Sequence, residues 1–174
     1  MPIDIESHIR DVPDFPKPGI VFKDITPMLA DPAALAMAVE LMASPFRGKD
    51  IHKVCGAESR GFIFGTAIAQ ALSAGFVPVR KPGKLPAATV SMDYELEYGT
   101  DQLEVHQDAI NPGERVLMVD DLLATGGTMK ACCEMIDGLG GDIVGVTMLI
   151  ELGFLPGREK LGRYGEMTHA VIKY

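Results

Sequence analysis

The stretch VLMVDDLLATGGT, residues 116–128, joins a hydrophobic run to two adjacent aspartates and a glycine pair. The run predicts a buried strand over 114–120 that ends at Asp120, and the residues after it predict a helix that starts near Gly127 or Thr128. A tight loop between a buried strand and a helix is typical of a parallel sheet covered by helices. In such sheets ligands bind beyond the carboxyl ends of the strands, which is where the two aspartates fall.

The rest of the chain continues this alternation of strands and helices. A β-hairpin or flap is predicted over 88–107, because apolar and polar residues alternate on both sides of a Tyr-Gly pair. The N-terminal region differs: a helix capped by Asp4 is predicted over 4–12, and the four prolines of 13–29 predict a long irregular segment. Further strands are predicted at 52–59, 76–81 and 142–151. Further helices are predicted at 31–46, with Asp31 as its N-cap, at 60–75 and at 126–140.

Composition narrows the class of protein. The 174 residues fit one domain with a full core. A net charge of −8 argues against a general binder of nucleic acid or membrane surfaces, because phosphate groups would be repelled. No apolar run approaches the ~20 residues of a membrane span, and the N-terminus has no apolar signal-peptide core. Three cysteines, none in a CxxC pair, favour free thiols in a reducing compartment, so we expect a cytoplasmic protein.

The chemistry of the 116–128 loop points to a sugar phosphate. Loop amides and the positive end of a helix bind a phosphate, and glycines let the backbone approach it closely. Thr125 and Thr128 add hydroxyl donors. The carboxylates of Asp120 and Asp121 would repel the phosphate, but they can accept hydrogen bonds from the adjacent hydroxyls of a ribose and stabilise positive charge on its ring. Neither a Walker A sequence nor a GxGxxG motif opening a helix is present, so a P-loop or dinucleotide fold is not expected.

The stretch 116–128 resembles the signature of the type I phosphoribosyltransferases, which bind 5-phosphoribosyl 1-pyrophosphate. Nearly the whole chain is similar, in order, to adenine phosphoribosyltransferases, through FPKPGIVFKDITPML, GAESRGFIFG, RKPGKLP, YELEYGTDQLEVHQDAI and GREKL. The resemblance implies the fold of that family: one α/β domain over 1–174, with a central parallel sheet flanked by helices. It also implies a small base-binding hood at 1–30, and a flexible loop and mobile flap at 81–106.

The same resemblance implies an activity. Members of that family transfer the 5-phosphoribosyl group from phosphoribosyl pyrophosphate to adenine, giving AMP and pyrophosphate, a pentosyl transfer in purine salvage. Magnesium would be bound mainly through phosphoribosyl pyrophosphate, without a dedicated set of metal ligands in the chain. A cytoplasmic homodimer is implied as well.

The resemblance assigns roles residue by residue. Asp120 and Asp121 would bind the ribose hydroxyls, and the segment ESRG, residues 58–61, is similar to the family's pyrophosphate loop, in which a non-proline cis peptide is common. Phe22 would pack against the purine, and Tyr98 would belong to the closing flap. The implied substrate-binding residues are Val21, Phe22, Lys23 and Asp24 for the base; Glu58, Ser59, Arg60, Arg80, Lys81 and Lys84 for pyrophosphate; Ala124, Thr125, Gly126, Gly127 and Thr128 for the 5-phosphate; and Tyr98, Asp120 and Asp121.

The implied catalytic residues are Arg60, Glu97, Asp120 and Asp121. Pyrophosphate leaves C1 of the ribose before adenine N9 has bonded fully, so the ring gains positive charge. Magnesium, Arg60 and the loop lysines would neutralise the leaving group. Glu97 would exchange a proton with adenine N7, although a backbone carbonyl could do so instead. Closure of the flap would keep water from the reacting carbon.

Two other functions would use the same fold. A regulator that senses phosphoribosyl pyrophosphate on the same fold would usually carry a DNA-binding domain of ~60–80 residues, for which this chain has no room. A phosphoribosyltransferase for xanthine or hypoxanthine would share the 116–128 signature. Only the 21–24 segment and the flap distinguish these bases.

Overall fold

The computed structural model describes residues 3–96 and 99–174. The chain divides into two compact units, Met1–Leu41 and Met42–Tyr174. The first unit contains the predicted hood segment, and the second contains the sheet. The prediction of one domain, with its hood and flap segments, stays a prediction.

The first unit is a small hairpin followed by helices. Strand β1 (Arg10–Pro13) pairs antiparallel with β2 (Val21–Asp24), and a 3-10 turn (Glu6–His8) precedes them. Two helices follow, α1 (Thr26–Ala30) and α2 (Pro32–Ala43). The Asp31 carboxylate accepts hydrogen bonds from the amides of Ala33 and Ala34 at 2.9 and 2.8 Å, which confirms it as the cap of α2.

Two sequence predictions for this unit are wrong. The helix predicted over 4–12 is only the short 3-10 turn, because residues 10–13 form a ladder with 21–24 instead. The irregular segment predicted over 13–29 contains both β2 and α1. Proline does not prevent either element, since Pro27 occupies the first turn of α1, where an amide hydrogen has no helical partner.

The second unit is built on a five-stranded parallel sheet flanked by helices, as predicted. The strand order is β4-β3-β7-β8-β9. Its elements, in chain order, are a 3-10 turn (Ser44–Phe46), β3 (Lys53–Ala57), α3 (Arg60–Ala71), β4 (Gly75–Val79), β5 (Thr89–Glu95), β6 (Thr100–His106), β7 (Arg115–Leu123), α4 (Gly127–Gly138), β8 (Asp142–Glu151), α5 (Gly157–Lys160), α6 (Arg163–Glu166) and β9 (Thr168–Lys173).

The core of this unit lies between the sheet and its helices. Val116, Leu117 and Val119 of β7 are wholly buried, so the central strand shows the continuous apolar run of a parallel sheet covered on both sides. Cys132 and Cys133 of α4 and Cys55 of β3 are buried free thiols, as the sequence predicted. Desolvation raises the pKa of all three thiols.

Strand β7, helix α3 and strand β9 depart from the sequence prediction. Strand β7 continues three residues past Asp120, because Leu122 and Leu123 still pair with β8. Helix α3 ends at Ala71 rather than near Gly75, which opens β4. Strand β9 was not predicted, since it forms only by pairing with β8.

The predicted hairpin is confirmed: β5 and β6 pair antiparallel from Thr89↔His106 to Glu95↔Thr100. Among the described residues, no helix is long and apolar enough to cross a membrane.

Candidate active site

Two strand-to-helix junctions open side by side at one edge of the sheet. Strands β3 and β7 are parallel neighbours, so the loops that follow them leave the sheet at the same edge. Residues 58–60 and 120–129 from these loops line a cavity of about 270 Å³. The cavity therefore faces the N-terminal ends of both α3 and α4, the positive ends of their dipoles.

The loop between β7 and α4 has the geometry of a phosphate-binding turn. Gly126 has φ +84°, a left-handed conformation that favours glycine. A Cβ on Gly126 would lie 2.6 Å from the carbonyl oxygen of Gly157, so the loop and the start of α5 are in close contact. Helix α4 begins at Gly127, as predicted. All five residues assigned to the 5-phosphate line the cavity: Ala124, Thr125, Gly126, Gly127 and Thr128.

The two aspartates line the same cavity in unequal environments. Asp121 is buried, and its Oδ2 lies 3.1 Å from Nε of Arg60 on α3. Asp120 Oδ1 accepts a hydrogen bond from the Asp121 amide at 2.9 Å. Desolvation and the neighbouring Asp121 charge raise the pKa of Asp120 well above its usual range. The Asp121 carboxylate is thus paired with Arg60, whereas the Asp120 carboxylate lies in a site that favours its neutral form.

The loop after β3 brings together several of the residues assigned to pyrophosphate. Glu58, Ser59 and Arg60 line the cavity, and the Glu58–Ser59 peptide bond is cis, as the resemblance implied. Glu58 forms ion pairs with Arg80 and Lys84, each at 2.8 Å. Neither basic residue lines the cavity, so their link to it runs through Glu58.

Lys81 lies apart from this group. Its ammonium group forms a short ion pair with Asp101 of β6 and donates to the Tyr94 hydroxyl at 3.0 Å. Desolvation alone would lower the pKa of Lys81, but these two hydrogen bonds outweigh it and raise that pKa. The lysine is therefore held by the hairpin.

The residues assigned to the base lie in the first unit, on β2. The Phe22 ring meets Phe15 edge to face, with centroids 5.1 Å apart. Lys23 pairs with Asp11 at 2.7 Å. Val21 is half exposed.

Asp24 is held by its own neighbours. It accepts hydrogen bonds from the Thr26 amide at 2.9 Å and from Nη2 of Arg10 at 2.6 Å. The amide of Thr26 and the guanidinium of Arg10 lower the pKa of Asp24 to about 2. This carboxylate therefore stays ionised.

Two assigned residues, Glu97 and Tyr98, lie outside the described residues. Three further residues of the cavity wall, Leu122, Leu123 and Met129, were not predicted. The contact of Gly157 with the phosphate loop was not predicted either. The only signal for Gly157 was the segment GREKL, which begins with it.

Comparison with known proteins identifies the family. The model of the phosphoribosyl transferase domain matches residues 28–162. An adenine phosphoribosyltransferase of Rhodopirellula baltica is 55% identical, over 99% of this chain and 82% of its own. The crystal structure of adenine phosphoribosyltransferase from Thermoanaerobacter pseudethanolicus covers 98% of both chains at 51% identity, with a TM-score of 0.94. The Giardia lamblia enzyme complexed with 9-deazaadenine is 38% identical, covers 98% of this chain and 96% of its own, and has a TM-score of 0.92.

Proposed function

This chain belongs to the adenine phosphoribosyltransferase family, and from that premise we propose how it transfers the 5-phosphoribosyl group of phosphoribosyl pyrophosphate to adenine. The bond between ribose C1 and a pyrophosphate oxygen breaks, and a bond between C1 and adenine N9 forms. One proton leaves the base, and the products are AMP and pyrophosphate. The observation that carries this proposal is the pair Asp120–Asp121 beside the glycine loop at the start of α4.

The 5-phosphate would bind in the loop from Ala124 to Thr128. The loop amides and the start of α4 supply hydrogen-bond donors and a positive dipole end, and the two threonines add hydroxyls. Asp120 and Asp121 would accept hydrogen bonds from the two ribose hydroxyls. The negative charge of Asp121 would then stabilise the positive charge that develops on the ring as pyrophosphate departs.

Pyrophosphate would bind at the start of α3. Arg60 is the first residue of that helix and lines the cavity, so its guanidinium and the helix dipole both favour an anion there. Arg80 and Lys84 would add positive charge next to the pyrophosphate.

Magnesium would be the required metal ion. Among residues 3–96 and 99–174, no three His, Cys, Asp or Glu side chains cluster as a metal site. A magnesium ion that takes its oxygens mainly from phosphoribosyl pyrophosphate suits this wall, because Mg²⁺ commonly binds through substrate phosphates and one or two carboxylates. When bound, it would neutralise charge on the leaving group.

Recognition of the base is assigned to the hood segment. We assign Val21, Phe22, Lys23 and Asp24 to its recognition, with the Phe22 ring against the purine. Because Lys23 and Asp24 are held in local ion pairs, backbone groups of β2 are the better candidates for reading the purine edge. The 9-deazaadenine complex of the Giardia relative supports adenine as the base.

Glu97 is our candidate for exchanging a proton with adenine N7, and Tyr98 for closing the flap over the reacting atoms. Both assignments rest on family resemblance. A homodimer in the cytoplasm is proposed on the same ground, and the three buried thiols agree with a reducing compartment.

The test is a base panel. Purified protein with magnesium and phosphoribosyl pyrophosphate is given adenine, hypoxanthine, guanine or xanthine, and each product is identified by its mass. We expect AMP from adenine and little product from the other three bases. Comparable turnover of hypoxanthine would contradict the adenine assignment, and no product from any base would contradict the proposed reaction.

A further inference from the structure

Glu58 holds two cations at the rim of the cavity. Its Oε2 accepts from Nε of Arg80 and its Oε1 from Nζ of Lys84, each at 2.8 Å. The carboxylate is nearly buried, with 9% of its side chain exposed, whereas the cations are 34% and 49% exposed. A nearly buried acidic group thus holds two more exposed basic ones.

The sheet register explains why these residues meet. Strands β3 and β4 are parallel and pair up to Ala57↔Val79, so the next residues, Glu58 and Arg80, leave the sheet side by side. The Glu58 amide donates to the Val79 carbonyl at 2.9 Å, which extends the ladder to the junction. Arg80 is fixed from its other side by two backbone hydrogen bonds with Glu104 on β6, at 2.9 and 2.7 Å.

The net charge of Glu58, Arg80 and Lys84 determines whether this cluster attracts or repels pyrophosphate. A lone carboxylate on the wall of a pyrophosphate site would repel the ligand. With Arg80 and Lys84 the cluster has two positive charges and one negative charge, a net charge of +1. Desolvation alone would raise the pKa of Glu58, but the hydrogen bonds from Lys84 and Arg80 outweigh it and lower that pKa, so the carboxylate is ionised at neutral pH.

We propose that Glu58 is a positioning residue for pyrophosphate: it touches no substrate, and holds Arg80 and Lys84 so that their remaining N–H groups face the leaving group. This inference rests on the proposed function. It replaces direct substrate binding by Glu58, and it separates Arg80 and Lys84 from Lys81, which Asp101 holds.

The test compares two ligands that occupy different parts of the site. Glu58→Gln keeps the size of the side chain and removes the charge that attracts both cations. Calorimetry of this variant should show magnesium pyrophosphate bound about ten-fold more weakly, the loss of one charge-assisted contact, with ribose 5-phosphate affinity unchanged. Pyrophosphate affinity that is unchanged or tighter would overturn the proposal, and so would an equal loss for both ligands.

Glu151 provides the matched control. It is also a nearly buried carboxylate that holds an arginine and a lysine, with Arg158 at 2.5 Å and Lys173 at 3.8 Å, but it does not line the cavity. Glu151→Gln should lower the midpoint of thermal unfolding and leave pyrophosphate affinity unchanged. If it weakens pyrophosphate as much as Glu58→Gln does, the effect is general destabilisation and the proposal fails.

A double-mutant cycle covers the case in which Glu58→Gln folds poorly. Lys84→Met removes one held cation from a half-exposed position and should by itself weaken pyrophosphate. If Glu58 acts through its cations, adding Glu58→Asp should cost less in the Lys84→Met background than in the wild type. Fully additive losses would overturn the proposal. Wild-type protein that binds neither ligand would instead contradict the proposed function.

Discussion

Arg60 and Asp121 form an ion pair across the candidate site, with Nε and Oδ2 3.1 Å apart. The arginine opens α3 and the aspartate lies near the end of β7, so the pair joins the two strand-to-helix junctions that form the cavity. Only 6% of the Asp121 side chain is exposed, against 42% of Arg60. The aspartate is therefore the fixed partner, and the arginine is the one that can turn toward an anion.

This asymmetry predicts that Asp121→Asn and Asp120→Asn are both harmful, and that Asp121→Asn is the worse. Asp121→Asn removes a charge that faces the ribose and also breaks the ion pair with Arg60. The loss of one electrostatic stabiliser costs ~2.7–4 kcal/mol, or roughly 10²–10³-fold in kcat. Steady-state kinetics with phosphoribosyl pyrophosphate measures this. Asp142→Asn, at an exposed ion pair with Arg115, should be nearly silent. Near-wild-type kcat/KM in both site variants would refute the ribose role.

Gly126→Ala should damage the phosphate loop. Its φ of +84° costs an alanine ~1–2 kcal/mol, and the new Cβ would clash with the Gly157 carbonyl. We expect weaker binding of ribose 5-phosphate and a lower unfolding midpoint. Gly138→Ala is the control, because Gly138 is the last residue of α4 and a Cβ at that position would meet no atom within 4 Å. It should be neutral or stabilising by up to ~1 kcal/mol. Unchanged ribose 5-phosphate affinity in Gly126→Ala would remove the loop from the phosphate site.

Glu97→Gln tests the proton transfer. The amide keeps the size and hydrogen bonding of the side chain but cannot accept a proton, so kcat should fall by ~10²–10⁴-fold. Binding of phosphoribosyl pyrophosphate should change little. Glu95→Gln is the control and should be nearly silent. Glu104→Gln is a less suitable control, because Oε2 of Glu104 accepts a hydrogen bond from the Gly83 amide at 3.2 Å and so supports the basic loop. Activity within a few-fold of wild type would assign the proton to a backbone carbonyl or water.

The lowered pKa of Asp24 predicts an acid-sensitive hood. Its stabilising contribution is fully present above the ordinary value of 3.8 and is lost as the pH falls toward about 2, because the unfolded chain takes up the proton first. Urea unfolding of Asp24→Asn should show lower stability at neutral pH and a shallower decline between about pH 5 and about pH 3. Arg10→Met should flatten the decline less, since the Thr26 amide remains. Equal slopes in all three proteins would contradict this account.

Short sequence patterns predicted the helices and strands that are determined by residues close together in the chain. The apolar run of β7, the capping Asp31 and the alternation over 88–107 each marked their element correctly. The helix predicted over 4–12 failed because residues 10–13 pair with the strand at 21–24, which lies beyond a proline-rich turn. Strand β9 exists through pairing alone. The errors at residues 10–13, at the end of β7 and at β9 came from pairing between segments, which no local pattern records.

The site residues that one local motif carries were predicted, whereas the contacts between distant site residues were not. The stretch 116–128 supplied the aspartates and the phosphate loop, because one continuous motif carries both. The positive charges at 80–84 looked equivalent in sequence, yet the structure gives Arg80 and Lys84 to Glu58 and Lys81 to Asp101. That separation depends on the register of β3 against β4 and on the position of the β5–β6 hairpin, neither of which the sequence shows.

The most direct test of the central claim is ³¹P NMR of two reaction mixtures, one with adenine and one without, each containing the purified protein, magnesium and phosphoribosyl pyrophosphate. The account predicts that the substrate signals are replaced by those of AMP and pyrophosphate in equal amounts, and only when adenine is present. Release of pyrophosphate with ribose 5-phosphate and unreacted adenine would contradict it, because the chain would then be a hydrolase. An unchanged spectrum in the mixture with adenine would contradict it as well.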